Sequence, residues 1–472
     1  MNSIGVIGGG SSGLITALIL KKTFPKINVT VIKSNKIGTI GVGESTTEHI
    51  KEFIDFCEID KDELISKTKA IPKLGILFKN WYKNDFLYNV PGDLNNARIG
   101  QFNYGFADII KKQKHFSKYT NKEVLENKIS PDLEIYQYNF NTFHFNDYLL
   151  DLCKQRKIKI IDDVIDKVVV KNNTIKYLKS KNKNYNFDFY IDATGFKKLL
   201  ISSLNCKWES YKEYLPFNEA IAFPTEDTDK YPLYTIATKL KHGWMWNTPT
   251  QGRWGNGYVF NGAMVNKEEI KKECEKHLKI KIDKYFNFKF DPGALKESWI
   301  GNCAAIGLSS SFVEPLEATA ISSGIQQTFL LTNFLINYNQ DQINQYNEVV
   351  KKININVRDF LCLHYITDKK WGLKIKTPAT LAHQLKLWKR RLPLSIDFNT
   401  QYILFKDSHF FIILKELGLI SKKHIVKILN KHRAFNEGFT SKFEKHYNRN
   451  RFYWYKNSVD LKEYLLQKNI NI

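Results

Sequence analysis

The stretch "SIGVIGGGSSGLITALILKK", residues 3–22, decides the fold of this chain. It places a short apolar strand, 4–7, before a glycine loop and a helical apolar pattern. The glycines fit G-x-G-x-x-G, in which Gly8 permits a tight turn, Gly10 leaves room for a pyrophosphate, and Gly13 lets the helix pack closely on the strand. The helix N-terminus would then face the phosphates. We interpret the stretch as a dinucleotide-binding loop rather than a plain glycine turn. Its expected cofactor contacts are Gly8, Gly10, Ser11, Ser12 and Gly13.

The second strand, "NVTVIKS" (28–34), ends in Lys33, where a dinucleotide site usually has an acid that binds a ribose hydroxyl. A lysine cannot accept the hydroxyl proton, although it can approach a phosphate as a point charge. A second string, "FDFYIDATG" (187–195), resembles the second nucleotide-contact motif of flavoproteins with two dinucleotide-binding domains. A buried strand followed by an ordinary turn is the alternative. Together the two strings favour FAD over a nicotinamide, with further contacts expected from Lys33, Ala193, Thr194 and Gly195.

Composition indicates a globular enzyme-sized protein. The chain has 472 residues with 43% hydrophobic content, and its apolar runs are too short to cross a bilayer. The first residues lack the basic and apolar regions of a secretion signal. Six cysteines are scattered without the spacing of a metal site, which predicts free, mostly buried thiols, no metal, and a cytoplasmic location.

The net charge of +23 raises the question of a polyanionic partner. The basic residues are mostly lysines spread along the chain, and no nucleic-acid motif accompanies them. We therefore interpret the charge as compositional and expect neither a nucleic-acid nor a membrane partner. A basic nucleic-acid-binding module on an inactive flavin scaffold is the alternative from another class of protein. A homo-oligomer is left open.

Further stretches, in order, resemble the flavin-dependent halogenases, most closely the tryptophan halogenase family, over about residues 1–395. They are "IGVGEST" (40–46), similar to the flavin strap; "GWMWNTP" (243–249), similar to W-x-W-x-x-P; "GRWGNGYVF" (252–260), similar to a core strand pair; "IGLSSSFVEPLEATA" (306–320), similar to the flavin and halide segment; and "RDFLCLHY" (358–365), similar to a following helix. The resemblance implies further flavin contacts at Gly43, Glu44, Ser45, Gly307 and Leu308.

The resemblance implies an α/β fold, with a Rossmann-type FAD-binding core of the two-dinucleotide-binding-domain class and a mostly helical substrate and C-terminal region. Residues 1–370 would form the halogenase core with its substrate-site insertions, and residues 371–472 a mostly helical C-terminal region. Apolar positions at helical spacing in the C-terminal part agree with this expectation.

The family pattern K-x-x-I-x-F-x-N-W is matched by "KLGILFKNW", residues 73–81. This match implies that Lys73 directs the halogen. Strand alternation would put Lys79 on the same face, so Lys79 is the alternative. A solvated surface charge is the ordinary interpretation of any single lysine.

The stretch "EPLEATA" (314–320) implies that Glu317 is the catalytic acid, with Glu314 as the other candidate. Thr319 and Ala320 occupy the positions where the family binds halide through backbone N–H groups. Ala320 replaces the usual glycine, so a left-handed backbone would be less favourable there, and halide preference would differ.

The W-x-W-x-x-P signature implies a partition between flavin and substrate, formed by Trp244, Trp246 and Pro249. Alternate residues of an extended segment point the same way, so the two indoles would build one bulky wall. Core packing alone would also explain two tryptophans on one face.

The family holds free tryptophan with paired tyrosines, a glutamate and a Phe-Trp pair that follow an "LPL" turn. The segment 390–418 keeps Leu392, Pro393 and Leu394 but neither the paired tyrosines nor the Phe-Trp pair. A site for a zwitterion needs such partners, so a small electron-rich indole or phenol is expected rather than free tryptophan. Tyr88 and Tyr402 are weak candidates for the pocket.

The implied activity is halogenation by hypohalous acid made from FADH2, O2 and chloride, bromide or iodide, with a separate flavin reductase supplying FADH2. A flavin monooxygenase that hydroxylates a small aromatic is the alternative.

Overall fold

The computed structural model describes residues 1–38, 44–89, 101–114, 116–228, 230–366, 371–398, 402–431, 445, 447–449, 453, 455–468 and 470. The chain forms two compact units. The first contains Met1–Ala70, Phe140–Lys212 and Phe290–Ile355, and the second contains Ile71–Asn139, Glu213–Lys289 and Asn356–Ile472. The division expected near residue 370 does not coincide with these units, because each unit is assembled from three separate segments of chain.

The strands of the described chain run in the following order: β1 Ser3–Ile7, β2 Asn28–Lys33, β3 Glu44–Ser45, β4 Ile71–Pro72, β5 Ile76–Lys79, β6 Phe86–Tyr88, β7 Lys128–Ile129, β8 Tyr138–Phe140, β9 Lys159–Asp162, β10 Ile165–Lys171, β11 Thr174–Ser180, β12 Asn184–Tyr185, β13 Phe189–Asp192, β14 Trp208–Ser210, β15 Glu219–Thr225, β16 Thr235–Lys239, β17 Gly243–Thr250, β18 Arg253–Phe260, β19 Phe286–Lys289, β20 Gly293–Leu295, β21 Trp299–Ile300, β22 Cys303–Ala305, β23 Ser311–Phe312 and β24 Val459–Asp460.

The α-helices are α1 Ser11–Thr23, α2 His49–Phe56, α3 Lys61–Thr68, α4 Gln101–Lys112, α5 Phe116–Thr120, α6 Lys122–Leu125, α7 Thr142–Gln155, α8 Lys267–Leu278, α9 Thr319–Phe334, α10 Gln340–Tyr365, α11 Ala379–Trp388, α12 Asp407–Glu416, α13 Lys422–Lys431 and α14 Leu461–Gln467.

The first unit is built on a six-stranded sheet with the order β21-β22-β13-β1-β2-β9. All neighbours from β22 to β9 pair in parallel, and β21 runs antiparallel to β22. The apolar runs of β1 and β13 are buried, as is usual for a parallel sheet covered on both faces. The carboxyl ends of β1, β2 and β13 therefore share one edge, where α/β sheets bind nucleotides.

Helix α1 follows β1 directly and packs against α7 and α9 within this unit. Nine of its residues are buried, because apolar side chains cover most of its circumference. Thr16 and Thr328 join α1 to α9 through a hydrogen bond of 3.0 Å between their hydroxyls. The unit also contains two small antiparallel sheets, β10-β11-β12 and β14-β20-β23.

The second unit contains a seven-stranded sheet with the order β19-β15-β18-β17-β16-β5-β6. Its neighbours are antiparallel except β16 and β5, which are parallel. Every residue of the central strand β17 is buried. One sheet face forms an apolar core with α8 through Met245, Tyr258, Ile270 and Cys274. The described residues after 371 form α11 to α14 and the short β24, which agrees with the mostly helical C-terminal region expected.

All six cysteines are free thiols, and five of them are buried, as predicted. Burial raises the pKa of Cys57 to about 11 and those of Cys153 and Cys274 to about 12, so these thiols stay protonated and unreactive at neutral pH. Among the described residues, no helix combines the length and apolar character needed to cross a bilayer.

Candidate active site

The glycine loop after β1 meets the turn after β13. Gly8 has a φ of +122°, and a Cβ added there would lie 2.1 Å from the carbonyl oxygen of Ala193. A Cβ on Gly13 would lie 2.0 Å from the carbonyl oxygen of Gly8. Gly10 has ordinary extended dihedrals, φ −81° and ψ 175°, and its Cβ would meet no atom of the described chain within 4 Å. The outer two glycines are needed for contacts within the protein, whereas Gly10 leaves a cradle open.

A cleft of about 500 Å³ lies at this edge of the parallel sheet. Many residues predicted to contact cofactor or halide line it: Gly8, Gly10, Ser11, Ser12, Lys33, Ala193, Thr194, Gly195, Leu308 and Ala320. Gly13 and Gly307 support the lining instead. Gly307 has a φ of +62°, and a Cβ there would lie 2.4 Å from the hydroxyl of Ser12. The structure thus brings three separate sequence motifs to one cleft within the first unit.

The predicted strap falls largely outside the described residues, which exclude Gly43 and the side chain of Glu44. The hydroxyl of Ser45 is buried, and no described residue hydrogen-bonds to it. An orphaned buried hydroxyl fits a place where a bound ligand completes the hydrogen bonding.

Asn146 on α7 is a cleft residue that sequence reasoning missed. Its Oδ1 accepts a hydrogen bond of 2.8 Å from the hydroxyl of Ser11, while its Nδ2 is buried with no acceptor among the described residues. An amide donor held in this way can serve a phosphate or flavin oxygen. Helix α7 is far from the glycine loop in sequence, and no motif in the chain marks Asn146.

Asp192, at the end of β13, is fully buried and organises the floor of this region. Its carboxylate accepts hydrogen bonds from the backbone and hydroxyl of Thr194, the backbone N–H groups of Leu200 and Ile201, and the hydroxyl of Ser309. The acid therefore fixes the turn after β13 to the segment after β22, which contains Gly307 and Leu308.

The turn before α9 carries the backbone strain of the predicted halide segment. Glu317 and Ala318 have φ values of 66° and 54°, in the left-handed region, and α9 begins at Thr319. Each such residue costs about 1–2 kcal/mol. Ala320 lies within α9, so the left-handed conformation falls instead on Glu317 and Ala318, which precede Thr319 at the start of the helix. Glu314 and Glu317 are 2% and 3% exposed, so burial alone does not distinguish the two acids.

Lys73 lies in the second unit, between β4 and β5. Lys73 is 2% exposed, and its backbone N–H donates a 2.9 Å hydrogen bond to the carbonyl oxygen of Gln137. Lys79, on β5, is half-buried. The alternation argument for a shared face fails, because Lys73 precedes β5 and Gly75, with a φ of +155°, interrupts the extended chain. The burial of Lys73 excludes the interpretation of this residue as a solvated surface charge.

Trp244 and Trp246 lie on one face of β17, as predicted. They are 1% and 8% exposed, and their ring centroids are 6.1 Å apart. A Cβ on Gly257, the cross-strand partner of Trp246 on β18, would lie 2.1 Å from the indole. Pro249 is buried on the same strand, but alternation puts it on the opposite face from the two indoles.

Other aromatic rings extend this face within the second unit. Trp81 is 6.3 Å from Trp244 between ring centroids and 6.0 Å from Trp371. Phe78 lies 5.4 Å from Trp81 and 6.4 Å from Tyr88. The lysine motif and the tryptophan motif therefore share one aromatic cluster, to which Tyr88 also belongs.

Asp397, in the segment where substrate contacts were sought, is engaged within the protein. Its carboxylate accepts hydrogen bonds from Trp388 Nε1 at 2.8 Å, from Arg391 and from the Leu394 backbone at 2.9 Å. Burial would raise the pKa of Asp397, but the Arg391, Trp388 and backbone hydrogen bonds hold it below its ordinary value. Tyr402 is half-buried.

Within the described chain, no group of three or more His, Cys, Asp or Glu side chains has the geometry to hold a metal ion.

Comparisons with known proteins point to one family. The model of the tryptophan halogenase family matches residues 3–430. The chain is 28% identical over 478 residues to a tryptophan 6-halogenase, SttH, of Streptomyces toxytricini, covering 88% of this chain and 89% of that protein. It is 27% identical over 460 residues to a 7-chloro-L-tryptophan 6-halogenase, KtzR, of a Kutzneria species, covering 84% of this chain and 86% of that protein.

Solved structures share the fold. The crystal structure of SttH superposes with a TM-score of 0.84 at 24% identity, covering 99% of this chain and 100% of that chain. The flavin-dependent halogenase BrvH from Brevundimonas gives a TM-score of 0.80 at 22% identity, covering 99% of each chain. At these sequence identities, the structural likeness shows a shared fold.

Proposed function

The chain belongs to the tryptophan halogenase family and is a flavin-dependent enzyme that uses reduced FAD, O2 and halide, and we propose that it halogenates a small electron-rich indole or phenol other than free tryptophan. In the overall reaction, reduced FAD, O2, halide and a proton give FAD, hypohalous acid and water. The hypohalous acid then replaces one ring hydrogen by halogen, and a second water leaves.

The cofactor is FAD, whose redox chemistry activates O2 when it is bound. The cleft of the first unit has the features that such a dinucleotide needs: the open cradle at Gly10, the N-terminus of α1 and the buried amide of Asn146. We assign the pyrophosphate to the glycine loop and the flavin side to the segment that contains Leu308. The family uses a separate flavin reductase, and a cytoplasmic location remains a prediction from the free thiols.

The observation that carries the proposed halogen transfer is the burial of Lys73 in the second unit. An enclosed amine can hydrogen-bond hypohalous acid, or exchange an N–H for an N–halogen bond with release of water. Either route fixes the direction from which the electrophile meets the ring, and positioning of this kind gives large rate effects. Lys79 is the weaker candidate because it is half-exposed.

Glu317 takes the ring proton in the final step or polarises the electrophile. We assign the halide to the first backbone N–H groups of α9, at Thr319 and Ala320, which follow the left-handed turn formed by Glu317 and Ala318. The left-handed conformation of two non-glycine residues in this turn supports a functional role, because such strain persists mainly where the site requires it.

Trp244 and Trp246 form the partition that keeps the organic substrate from the flavin. Their shared face, their burial and the contact of Trp244 with Trp81 support a rigid wall. Pro249 takes part only through the backbone of β17, because its ring lies on the other face.

Two observations support the exclusion of free tryptophan. The carboxylate of Asp397 is engaged by Arg391, Trp388 and Leu394, which leaves it poorly placed to pair with a substrate ammonium. Tyr88 belongs to the aromatic cluster with Phe78, where it can line a pocket for an aromatic ring.

A substrate screen tests the proposed function. The enzyme is supplied with FAD, a flavin reductase, NADH, O2 and one halide at a time, and it is offered free tryptophan, indole, tryptamine and substituted phenols. Mass spectrometry should show halogenated products from an uncharged indole or a phenol, at least about tenfold faster than from tryptophan. Tryptophan as the preferred substrate would refute the substrate proposal, and a gain of one oxygen without halogen would identify a hydroxylase instead.

A further inference from the structure

Lys33 stands where β2 ends at the cleft of the first unit. Its side chain begins directly against the glycine loop, since a Cβ on Gly9 would lie 2.5 Å from the Cβ of Lys33. Its ammonium donates a hydrogen bond to Oδ1 of Asn35, which also lines the cleft. The cation is therefore built into the position where a dinucleotide site usually carries the acid that accepts the ribose hydroxyls.

The neighbouring carboxylates do not replace that acid. Asp162, beside Lys33 on β9, accepts hydrogen bonds from the backbone and side-chain amides of Asn35. Asp163 accepts a 2.5 Å bond from the Tyr185 hydroxyl and a 2.8 Å bond from the Val164 N–H. The hydrogen bond from Tyr185 is the main reason that the pKa of Asp163 lies below its ordinary value. Each of these acids is committed to a structural partner.

Among the described residues, the other charged side chains that line the cleft are Lys197, after β13, and Asp147, on α7. Both residues are exposed, whereas Lys33 is half-buried along its stem and its ammonium makes an exposed hydrogen bond to Asn35. Asn35 adds a side-chain amide whose nitrogen already donates one hydrogen bond to Asp162. At the end of β2, Lys33 is therefore a half-buried cation in the position of the usual acid, and the carboxylates of Asp162 and Asp163 beside it are held by neutral donors.

We propose that Lys33 makes this end of the cleft a site for a phosphate on an adenosine ribose. An acid at this position accepts free ribose hydroxyls and repels a phosphate, whereas a cation has the opposite preference. Adenosine nucleotides with a 2′- or 3′-phosphate would then compete with FAD, and FAD itself, with free hydroxyls, would lose one anchor. The inference rests on our assignment of this cleft to the FAD dinucleotide.

A competition assay against FAD tests the inference. Binding is measured by flavin fluorescence and by calorimetry, in the absence of halide and substrate. The competitors are adenosine 5′-phosphate, adenosine 2′,5′-bisphosphate and adenosine 3′,5′-bisphosphate. At least one bisphosphate should bind about tenfold more tightly than adenosine 5′-phosphate at low salt, with the advantage shrinking as salt rises. The bisphosphate that wins identifies whether a 2′- or a 3′-phosphorylated nucleotide is the ligand.

Lys33→Glu should reverse this order and tighten FAD binding, while Lys33→Gln should abolish the preference and keep the cleft intact. Lys36→Glu is the matched control, because it makes the same charge change at an exposed residue outside the cleft lining and should leave the order as in the wild type.

Equal or tighter binding of adenosine 5′-phosphate to the wild type would overturn the inference, as would equal effects of the Lys33 and Lys36 variants. Failure of the wild type to bind FAD at all would instead count against the cofactor assignment. The two failures are therefore distinguishable.

Discussion

The cleft of the first unit and the aromatic face of the second unit are assembled in opposite ways. The cleft is made largely of backbone, from the turns that follow β1, β2 and β13. Its shape depends on glycines, which have no side chain to fill the space. The aromatic face is made of large side chains from β5, β17 and the segments around Trp81 and Trp371. A backbone site can be encoded in a few adjacent residues, whereas a side-chain wall needs several strands in register.

The largest expected effect on activity comes from removing the side-chain amine of Lys73 in the second unit. Lys73→Ala should lower the rate of halogenated product by about 100-fold or more, since a positioned acid–base or nucleophilic group contributes on this scale. Binding of FAD and oxidation of reduced flavin by O2 should continue, because the cleft of the first unit is unchanged. Product by mass spectrometry and FAD affinity by fluorescence are the two measurements.

Lys79→Ala is the matched control and should keep most of the activity. Loss of product from the Lys79 variant with normal product from the Lys73 variant would transfer the proposed role to Lys79.

The second prediction breaks the cleft and spares the aromatic face. Gly10→Val should weaken FAD binding by about tenfold to hundredfold, because its side chain would fill the open cradle and displace hydrogen bonds to phosphate. The extended dihedrals of Gly10 accommodate valine, so the unfolding midpoint should change little. Calorimetric titration with FAD and thermal unfolding are the measurements. Gly10→Ala should give a smaller loss, and unchanged FAD affinity in both variants would contradict the assigned cradle.

The third prediction breaks the aromatic face and spares the cleft. Gly257→Ala should destabilise the protein by about 1–3 kcal/mol, because the added methyl would lie 2.1 Å from the indole of Trp246 and 2.6 Å from the carbonyl oxygen of Ile221. Denaturant unfolding measures the change. FAD affinity should stay within twofold, and the Gly257→Ala, Trp246→Leu double variant should recover part of the stability. Wild-type stability in Gly257→Ala would show that the indole is not held against β18.

The smallest expected effect concerns the acid of the C-terminal segment. The pKa of Asp397 is lowered in the folded state, so its ionised form stabilises the fold at neutral pH, and this contribution is lost as pH falls below about 3.8, through the folded pKa. Asp397→Asn should cost about 1–2 kcal/mol at pH 7. Urea unfolding between pH 7 and pH 3 should show the difference shrinking in acid. A loss of unfolding free energy in Asp397→Asn that does not change with pH would mean that packing, and not ionisation, makes Asp397 stabilising.

The contrast between the units explains which predictions the sequence supported. The motif spacing predicted a different structural role for each of Gly8, Gly10 and Gly13, and the surroundings of each glycine agree with its predicted role. A left-handed backbone was expected to be unfavourable at Ala320, and the structure puts the left-handed residues at Glu317 and Ala318, because a missing glycine does not show where the chain turns. Asn146 was missed because α7 reaches the cleft only through the packing of α7 on α1.

In the second unit, local sequence patterns predicted fewer features of the structure. The shared face of Trp244 and Trp246 followed from strand alternation, but the opposite orientation of Pro249 and the role of Gly257 needed the pairing of β17 with β18. The motif match favoured Lys73 over Lys79, strand alternation did not separate them, and the structure adds that Lys73 is buried whereas Lys79 is half-buried. Short motifs do not record such cross-strand neighbours.

Sequence by itself determined the nucleotide loop, the family, the identity of the candidate amine and acid, and the presence of two indoles on one strand face. These depend on backbone conformations and alternation that a few consecutive residues dictate. Only the tertiary structure decided which lysine is buried, which amide completes the cleft, where the backbone before α9 is strained and which glycine makes room for an indole. Each of these depends on atoms that are distant in the chain and become neighbours only when the sheets and helices pack.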